Sequence, residues 1–385
     1  MKKVWSLLLR APLLLGVCAC GAGQRETSNE KEIAQLEELY KGRKKYQGDL
    51  HNHSDSGGRS DGKVPLTLWP SFVMSKLDMD FAVIVDHRQV NHMRLPGWDP
   101  TRFIGGTEPA TRILDEHLVK GSMHYNMVFT DPAALENVLM AFPEYDYRPD
   151  PSNPGMNTFD YAKFYSPRFR EVAQKVWDEG GFFCHVHPKH EGYMISDDPL
   201  DFYFGEHTGI EVMTGDSRYY DMHFEGNRKG YQLWVDLLNL DKRVYATFGS
   251  DDHRISSANC LSTIYSEAKH AMSFVKYLRS GDFTAGPVGI RMAMGDVTVG
   301  GETEFAGKRL AISVGDFHAK AVKPDHKYRL DVFNENDLVY SQEIDHTKNT
   351  YVVLDAENCK YYRANVYDVT DDCIFAVGNP IWNKK

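Results

Sequence analysis

The sequence predicts an α/β protein built on a closed or nearly closed barrel of seven strands, followed by a small all-β domain. Short apolar runs rich in β-branched and aromatic residues recur through the first two thirds of the chain, with helical patterns between several of them. Strands that alternate with helices are typical of parallel βα units. The predicted strands are the stretch ending at Leu50 and residues 81–85, 103–107, 123–129, 182–186, 209–213 and 244–248.

The clearest helical pattern covers residues 167–179. Ser166 is a suitable capping residue, Pro167 suits the first helical position, and two glycines follow the last turn. Further helices are predicted at residues 231–240 and at about 267–278. One apolar face of the first helix is formed by Phe169, Val172, Ala173, Val176 and Trp177.

After residue 286 the pattern changes to alternating apolar and polar residues, which predicts a small all-β domain of sandwich type. Its strands are expected at residues 310–314, 328–333, 351–354 and 363–369. The predicted organisation is therefore a signal peptide at 1–20, a polar tether at 21–45, the barrel at 46–285 and the β-sandwich accessory domain at 286–385.

The N-terminus has the layout of a secretory signal, with Lys2 and Lys3 before a short apolar stretch that ends in small residues. The stretch is too short, and too interrupted, to be a good membrane span. The residues around Cys18 and Cys20 resemble the lipobox of bacterial lipoproteins, with Cys20 the better anchor and Cys18 the second. An ordinary signal peptide is the alternative. We therefore expect export and lipid anchoring on the periplasmic or cell-surface side of a bacterial envelope.

The overall charge argues against one class of function. Hydrophobic residues make up 42% of the chain and charged residues 25%, the proportions of a folded globular protein. The formal net charge is −10 and no long Lys/Arg stripe occurs, whereas nucleic-acid binding depends largely on neutralising phosphates. No nucleic-acid partner is expected. A small anionic substrate stays open, because a bound metal ion can outweigh the global charge locally.

Histidines and carboxylates recur where the predicted strands end. The C-terminal strand ends of a βα barrel converge on one face, where active sites are built. Imidazole and carboxylate groups gathered there are ligands suited to Zn, Mn or Fe, and a His-x-His pair in a strand places both rings on one side. The residues concerned are Asp49, His51, His53, Asp86, His87, Glu108, His185, His187, Asp251, Asp252 and His253, and His124 lies in the fourth strand.

Four blocks in this region resemble the motifs of the PHP family (polymerase and histidinol phosphatase), in that family's order. They are Gly-Asp-Leu-His-Asn-His-Ser at 48–54, Ile-Val-Asp-His at 84–87, His-Pro at 187–188 and Gly-Ser-Asp-Asp-His at 249–253. The resemblance spans roughly residues 46–285. It implies a distorted seven-stranded (β/α) barrel with up to three metal ions.

Carried over to this chain, the resemblance implies three groups of metal ligands. The first ion would be held by His51, His53, Glu108 and Asp251. The second would be held by Glu108, His124 and His187, with Glu108 bridging, and the third by Asp61, His87 and His253. Asp55 is a rival for Asp61, because Ser60-Asp61-Gly62 comes later than the corresponding family motif. His185 competes with His187, although Pro188 favours the latter.

Three short features near the C-terminus resemble a PHP branch that includes carbaryl hydrolases and appends a small β domain to the barrel. They lie at residues 283–287, 361–363 and 379–381. This resemblance favours an ester, carbamate or amide hydrolase, whereas phosphoesterase activity is more frequent in the family as a whole. A third hypothesis is a non-catalytic, metal-binding envelope protein.

The implied mechanism is hydrolysis of a small-molecule ester by a metal-bound hydroxide. Two or three divalent ions are expected, and a bound metal ion lowers the pKa of water from about 15.7 towards ~7. Lys189, His190 and Arg254 lie beside ligand motifs and are possible substrate contacts, as is Arg88. The residues predicted to orient ligand imidazoles are Asp49, Asp86 and Asp252.

Overall fold

The computed structural model describes residues 20–57, 59–115, 122–190, 193, 196–215, 222–254 and 258–384. The predicted signal peptide, including Cys18, lies outside this part of the chain, except that Cys20 begins the first helix. None of the helices in the described residues combines the length and apolarity needed to cross a bilayer.

The described residues form a mixed α/β fold with a large mixed sheet. The helices are α1 (Cys20–Leu39), α2 (Ser75–Leu77), α3 (Pro132–Ala141), α4 (Ser166–Asp178), α5 (Glu225–Asn239) and α6 (Ala271–Ser280). The strands of the first part are β1 (Lys44–Asn52), β2 (Phe81–Ile84), β3 (Phe103–Thr107), β4 (Ala110–Ile113), β5 (Ser122–Phe129), β6 (Arg148–Pro149), β7 (Asn157–Thr158), β8 (Ala162–Phe164), β9 (Phe182–His185), β10 (Thr208–Thr214), β11 (Val244–Gly249), β12 (Ser262–Ser266) and β13 (Phe283–Ala285). Those of the C-terminal part are β14 (Gly289–Met294), β15 (Val297–Thr298), β16 (Glu302–Thr303), β17 (Arg309–Gly315), β18 (Tyr328–Asn334), β19 (Asp337–Ile344), β20 (Thr350–Asp355), β21 (Tyr361–Asp368), β22 (Cys373–Gly378) and β23 (Ile381–Asn383).

A strand lies at each of the seven predicted positions, and these strands are β1, β2, β3, β5, β9, β10 and β11. β2 pairs in parallel with β1 and β3, and β10 pairs in parallel with β9 and β11. The sheet formed by these seven strands curves back on itself, because Asn52 at the end of β1 forms a bridge with Asp252 just after β11. His53 then donates its backbone N–H to the carbonyl of Asp252 at 2.9 Å. The ends of β1 and β11 therefore meet.

The expectation that all these strands run in parallel is wrong for β5, which is antiparallel to both β3 and β9. A parallel strand needs a crossover of a dozen or more residues, usually a helix. Only residues 114–121 separate β4 from β5, and β4 itself pairs antiparallel with β5. This reversal places the beginning of β5 beside the C-terminal ends of its neighbours.

The predicted helix at 167–179 is α4, but its first turn differs from the expectation. Ser166 is a helical residue rather than a cap, and the preceding Tyr165 has no capping side-chain hydrogen bond. Both the backbone N–H and the hydroxyl of Ser166 donate to Asp115 Oδ2 at 2.6 Å. The predicted apolar face is buried at Phe169, Val172, Ala173 and Val176. The first turn is thus held by a carboxylate distant in sequence.

The C-terminal part contains strands at all four predicted positions, β17, β18, β20 and β21. One sheet has the order β15-β14-β17-β20, while β18 pairs with β19 and β21 in the other. Side chains from both sheets share one core, including Ile290 and Ile312 from the first and Leu330 and Val366 from the second. β13 pairs with β12 on one side and β22 on the other. Hydrogen bonding therefore continues across the predicted boundary at 285/286.

The polar tether predicted at 21–45 needs correction, because α1 occupies most of it and its last turns pack against the fold. Leu36 and Tyr40 are buried. The Tyr40 hydroxyl donates to Asp282 Oδ1 at 2.9 Å, and Arg291 contacts Glu37 at 2.7 Å. The segment is mostly polar, and its two buried side chains are too few to produce the apolar periodicity by which a packed helix is predicted.

We expect a chain that begins at Tyr46 to be less stable than one that begins at Cys20. The truncation removes Leu36 and Tyr40, and it leaves the buried Asp282 carboxylate without Tyr40 and Arg43. Burying one large apolar side chain contributes about 1.5–3 kcal/mol, so the expected loss is at least about 3 kcal/mol. Urea unfolding of both chains measures the difference. Equal midpoints would show that α1 is dispensable for the fold.

Candidate metal centre

The nine residues predicted as metal ligands lie together at one edge of the curved sheet. His51 and His53 come from the end of β1, Glu108 follows β3, and the reversed β5 contributes His124 from its beginning. The structure forms three groups whose potential ligand atoms lie within 4.8 Å of one another. These groups are His51, His53, Glu108 and Asp251; Glu108, His124 and His187; and His53, Asp61, His87 and His253.

Glu108 is the central carboxylate and is only 1% exposed. Its Oε1 atom lies 2.7 Å from His124 Nδ1 and 3.1 Å from His187 Nε2. Its Oε2 atom lies 3.2 Å from His51 Nε2 and 3.1 Å from His53 Nε2. One carboxylate therefore joins the first two groups, one oxygen facing each. The family resemblance implied that Glu108 bridges two ions, and that role stays a prediction.

Asp61 rather than Asp55 completes the third group. Asp61 Oδ1 lies 3.2 Å from His253 Nε2 and 3.9 Å from His87 Nε2. Asp55 is exposed, and its backbone N–H donates to the carbonyl of Val64 at 2.9 Å. The extra residues before Asp61 thus form a loop that folds back towards the site. His53 also belongs to this group, which the sequence did not predict.

His187, not His185, faces the centre. The His185 ring packs against Phe202 and Phe204 at centroid distances of 5.7 and 5.2 Å. Burial lowers the pKa of His185 well below its ordinary value, because a charged ring would be desolvated there. His185 is therefore a neutral packing residue of β9.

Hydrogen bonds fix three of the imidazoles with Nε2 towards the carboxylates. His51 Nδ1 lies 3.0 Å from Glu211 Oε1, His87 Nδ1 lies 3.0 Å from the Glu108 carbonyl, and His253 Nδ1 lies 3.0 Å from the Asp251 carbonyl. These oxygens only accept, so each Nδ1 carries a proton. In a neutral ring, Nε2 then presents a lone pair to carboxylate oxygens. Such a convergence of lone pairs fits a cation between them.

Attraction between the histidines and the carboxylates shifts the pKa values of both kinds of side chain. Burial disfavours charge on the His53 ring, but hydrogen bonds to Asp251 and Glu108 raise its pKa to about 10. Burial likewise opposes ionisation of Glu108, yet His51 and other histidines hold its pKa well below the usual range. Despite partial burial, the His253 hydrogen bond lowers the pKa of Asp61 to about 2. The ionised carboxylates therefore stabilise positive charge among the three ligand groups.

The acidic residues predicted to orient imidazoles bind mainly backbone groups and hydroxyls instead. Asp49 Oδ1 accepts from the N–H groups of His51 and Ser250, both at 3.0 Å. Asp86 accepts from Ser54 N at 2.6 Å, and Asp252 accepts from Arg254 N at 2.7 Å. These carboxylates brace the loops that carry the ligands. These contacts of Asp49 and Asp86 thus act through the backbone, and a contact between Asp252 and a ligand ring stays a prediction.

Glu211 is a carboxylate of the site that the sequence analysis missed. It lies in β10 and is 3% exposed. Its contact with His51 Nδ1 supplies the role that had been expected of the neighbouring aspartates. The available signal was a single glutamate inside an otherwise apolar strand, where an ionised side chain needs a partner.

Two of the predicted ligand residues adopt left-handed backbone conformations, with φ of 33° at His187 and 52° at Asp251. Residues other than glycine rarely occupy this region, although Asp and His do so more often than most. Such strain costs of order 1–3 kcal/mol and concentrates at functional sites. The surrounding contacts therefore hold both backbones in conformations that direct the two side chains towards the ligand groups.

The predicted substrate contacts fall into two environments. Lys189 and His190 line a cavity of about 540 Å³ beside the centre, and the His190 ring lies 5.9 Å from that of His187. Arg254 is exposed on the loop after β11. The Arg88 guanidinium stacks over the Tyr161 ring at 4.3 Å. Of these residues, His190 contacts a member of the ligand groups, and all four lie outside the groups themselves.

A fourth possible ligand group, His326, Asp368 and Asp371, lies in the C-terminal part. His326 Nδ1 is 2.8 Å from Asp368 Oδ2, and Lys323 pairs with Asp371. The lysine already supplies positive charge to this group. It is therefore distinct in character from the buried centre.

No family model matches the chain, and a search of curated proteins finds no match. The geometry itself shows buried groups of histidine and carboxylate side chains that could hold metal ions. Their donor set is mixed imidazole and carboxylate, which suits Zn, Mn and Fe.

Proposed function

We propose that the protein is a metal-dependent hydrolase of PHP type, acting as a phosphoesterase, with its seven curved strands as the family's distorted barrel. The observation that carries the proposal is the pair of ligand groups joined by the two oxygens of Glu108. Metal ions held close together are typical of hydrolytic centres. The side chains of these groups come from separate strands, so chance is a poor explanation for their convergence at one point.

Divalent ions in these groups would activate water for attack and stabilise the negative charge that develops on the substrate. The residues of the chain set the geometry. Glu108 and Asp251 would face the ions with carboxylate oxygens, while the Nδ1–H groups of His51, His87 and His253 hold each Nε2 inward. The braced loops keep these atoms in place, so little reorganisation is needed during reaction.

Charge favours an anionic substrate. Three divalent ions would outweigh the three carboxylates that belong to the ligand groups, Glu108, Asp251 and Asp61. Lys189 adds a half-buried cation that forms no ion pair within the described residues. Its Nζ atom donates to the Ser196 carbonyl at 2.5 Å and lies 3.8 Å from the centroid of the Phe202 ring. Burial lowers the pKa of Lys189, because the charged ammonium group loses hydration there.

A carboxyl-ester, carbamate or amide hydrolase is the second candidate. The Tyr193 ring lies 4.2 Å from the His187 ring and 4.8 Å from the His124 ring. Phe224 and Leu233 also line the neighbouring cavity. Such surfaces suit an aromatic leaving group. A metal-binding protein without activity is the third hypothesis, and turnover of any ester by the metal-loaded protein would exclude it.

We expect Lys189→Ala and Arg254→Ala each to reduce kcat/KM for an aryl phosphate by at least ~10-fold, about 1.4 kcal/mol. A cation that contacts phosphoryl oxygens forms strong, directional hydrogen bonds. Metal analysis of the purified protein comes first, followed by steady-state kinetics on aryl phosphates, phosphodiesters, aryl esters and carbamates.

The matched control is Lys276→Ala, because that lysine is exposed on α6 and contacts Glu267 at 3.4 Å and the Tyr277 ring at 4.9 Å, outside the ligand groups. It should leave the kinetics unchanged. Rapid turnover of neutral aryl esters, with phosphates untouched and the Lys189 and Arg254 variants unimpaired, would favour the second candidate. A protein that takes up no divalent metal would contradict both.

A further inference from the structure

We infer that Glu211 is a positioning residue of this centre, which fixes the ring of His51 and the backbone of His187 through one carboxylate. The inference rests on the proposed metal binding and deepens it. Glu211 lies in β10, which pairs in parallel with β9 on one side and β11 on the other. It contributes to none of the three ligand groups. Its role would be to orient ligands rather than to bind an ion.

The two oxygens of Glu211 face three donors. Oε1 lies 3.0 Å from His51 Nδ1. Oε2 accepts from the backbone N–H of His187 at 3.0 Å and from the hydroxyl of Thr214 at 2.8 Å. An ionised carboxylate accepts on both oxygens, so all three hydrogen bonds form together. A glutamine side chain has only one accepting oxygen and cannot reproduce the set.

The first contact selects the tautomer of His51. With the proton on Nδ1, the Nε2 lone pair points at the first ligand group, where it lies 3.2 Å from Glu108 Oε2 and 3.4 Å from Asp251 Oδ1. Partners of this kind fix ring orientation and increase the basicity of a ligating imidazole. Glu211 thus acts on the first group through His51.

The second contact holds the strained backbone of His187. That residue has φ of 33°, and its N–H is held by Glu211 Oε2. The same conformation directs His187 Nε2 to within 3.1 Å of Glu108 Oε1. Without an acceptor, this buried N–H would be left unpaired, and the turn would relax towards an ordinary conformation. Glu211 thus acts on the second group through the backbone.

Gly249 supplies independent support, because its missing side chain makes room for the contact. A Cβ atom at this position would lie 2.5 Å from Glu211 Oε1 and 2.5 Å from His51 Cβ. The glycine that opens the block at 249–253 is therefore required by the pairing of Glu211 with His51.

The third ligand group is built without Glu211. The Nδ1 atoms of His87 and His253 bind backbone carbonyls of Glu108 and Asp251 instead. Loss of Glu211 should consequently weaken the first two groups and spare the third. A general loss of stability would weaken all three alike, so the pattern separates a positioning role from a structural one.

The test is zinc binding by Glu211→Gln, followed by competition with a chelator, with cadmium NMR to resolve individual sites. The amide keeps the size of the side chain but must turn its NH₂ group towards either His51 or His187. We expect affinity at the first two groups to fall at least ~10-fold, the usual effect of removing a ligand's hydrogen-bond partner, while the third is unchanged. Gly249→Ala should weaken the same two groups.

Asp331→Asn is the matched control, since it makes the same carboxylate-to-amide change at a buried residue of β18 in the C-terminal part. It should leave zinc affinity unchanged even if it lowers thermal stability. Nitrogen NMR of the zinc-loaded natural protein gives a readout that depends on no variant: we expect His51 to carry its proton on Nδ1.

Two results would overturn the inference while leaving the proposed metal centre standing. They are zinc ligation through Nδ1 of His51 in the natural protein, and equal or uniformly reduced affinity at all three groups in Glu211→Gln. A natural protein that binds no zinc, manganese or iron would instead contradict the proposed function itself. The two failures are therefore distinguishable.

Discussion

Replacing Glu108 with glutamine should remove metal from the first two ligand groups and reduce turnover by at least about 1,000-fold, equivalent to about 4 kcal/mol of transition-state stabilisation. No other side chain of the described residues belongs to both groups. Each oxygen of Glu108 faces a different pair of imidazoles, so an amide supplies an acceptor to one pair and N–H donors to the other. The variant also removes the only negative charge shared by both groups.

The change is nearly isosteric, so the fold should be retained. Metal content of the purified variant and hydrolysis of an aryl phosphate are the two measurements, with circular dichroism to check folding. Glu343→Gln is the control, because that residue is exposed on β19 and has only a 4.0 Å ion pair with Lys327. Full metal content and unchanged turnover in Glu108→Gln would exclude Glu108 as a bridging ligand.

The strands, and the histidine and carboxylate side chains at their ends, were predictable from the sequence because both follow from local patterns. A buried strand needs a continuous apolar run, and the residue after such a run lies at the edge of the sheet whatever the neighbouring strands do. His51, Glu108 and Asp251 could be placed in this way. The same reasoning failed for the direction of β5, because direction depends on the connection between strands rather than on the strand itself.

His124 shows why this failure did not remove a ligand. It lies near the beginning of β5, which in an all-parallel arrangement would be the opposite end from the other ligands. The reversal of β5 brings it to within 2.7 Å of Glu108. The resemblance implied that His124 is a ligand, whereas its position beside Glu108 depends on a topology that the strand pattern did not indicate.

Other features could not be predicted because their partners are distant in sequence. Tyr40 pairs with Asp282, and Glu211 with His51, across separations that no local pattern encodes. His318 is a further case, because it is buried and its Nε2 atom lies 3.1 Å from the backbone carbonyl of Asp78.

Asp251→Asn should remove the ion of the first ligand group and reduce turnover at least about 100-fold, or about 2.7 kcal/mol. Asp251 Oδ1 lies 3.1 Å from His53 Nε2 and 3.4 Å from His51 Nε2, so its negative charge is directed at the point where these rings meet. The amide keeps one oxygen but loses the charge that would offset desolvation of a divalent ion.

Backbone conformation makes this substitution more informative than removal of the side chain. Asp251 has φ of 52°, a conformation that asparagine tolerates well and alanine does not. Asp251→Ala would therefore add strain to the loss of charge, whereas Asp251→Asn isolates the charge. The control is Asp78→Asn, an exposed residue with a similar φ of 58° beyond the end of α2. If Asp251→Asn matches this control in metal content and in turnover, Asp251 holds no ion and the first ligand group is not part of the catalytic centre.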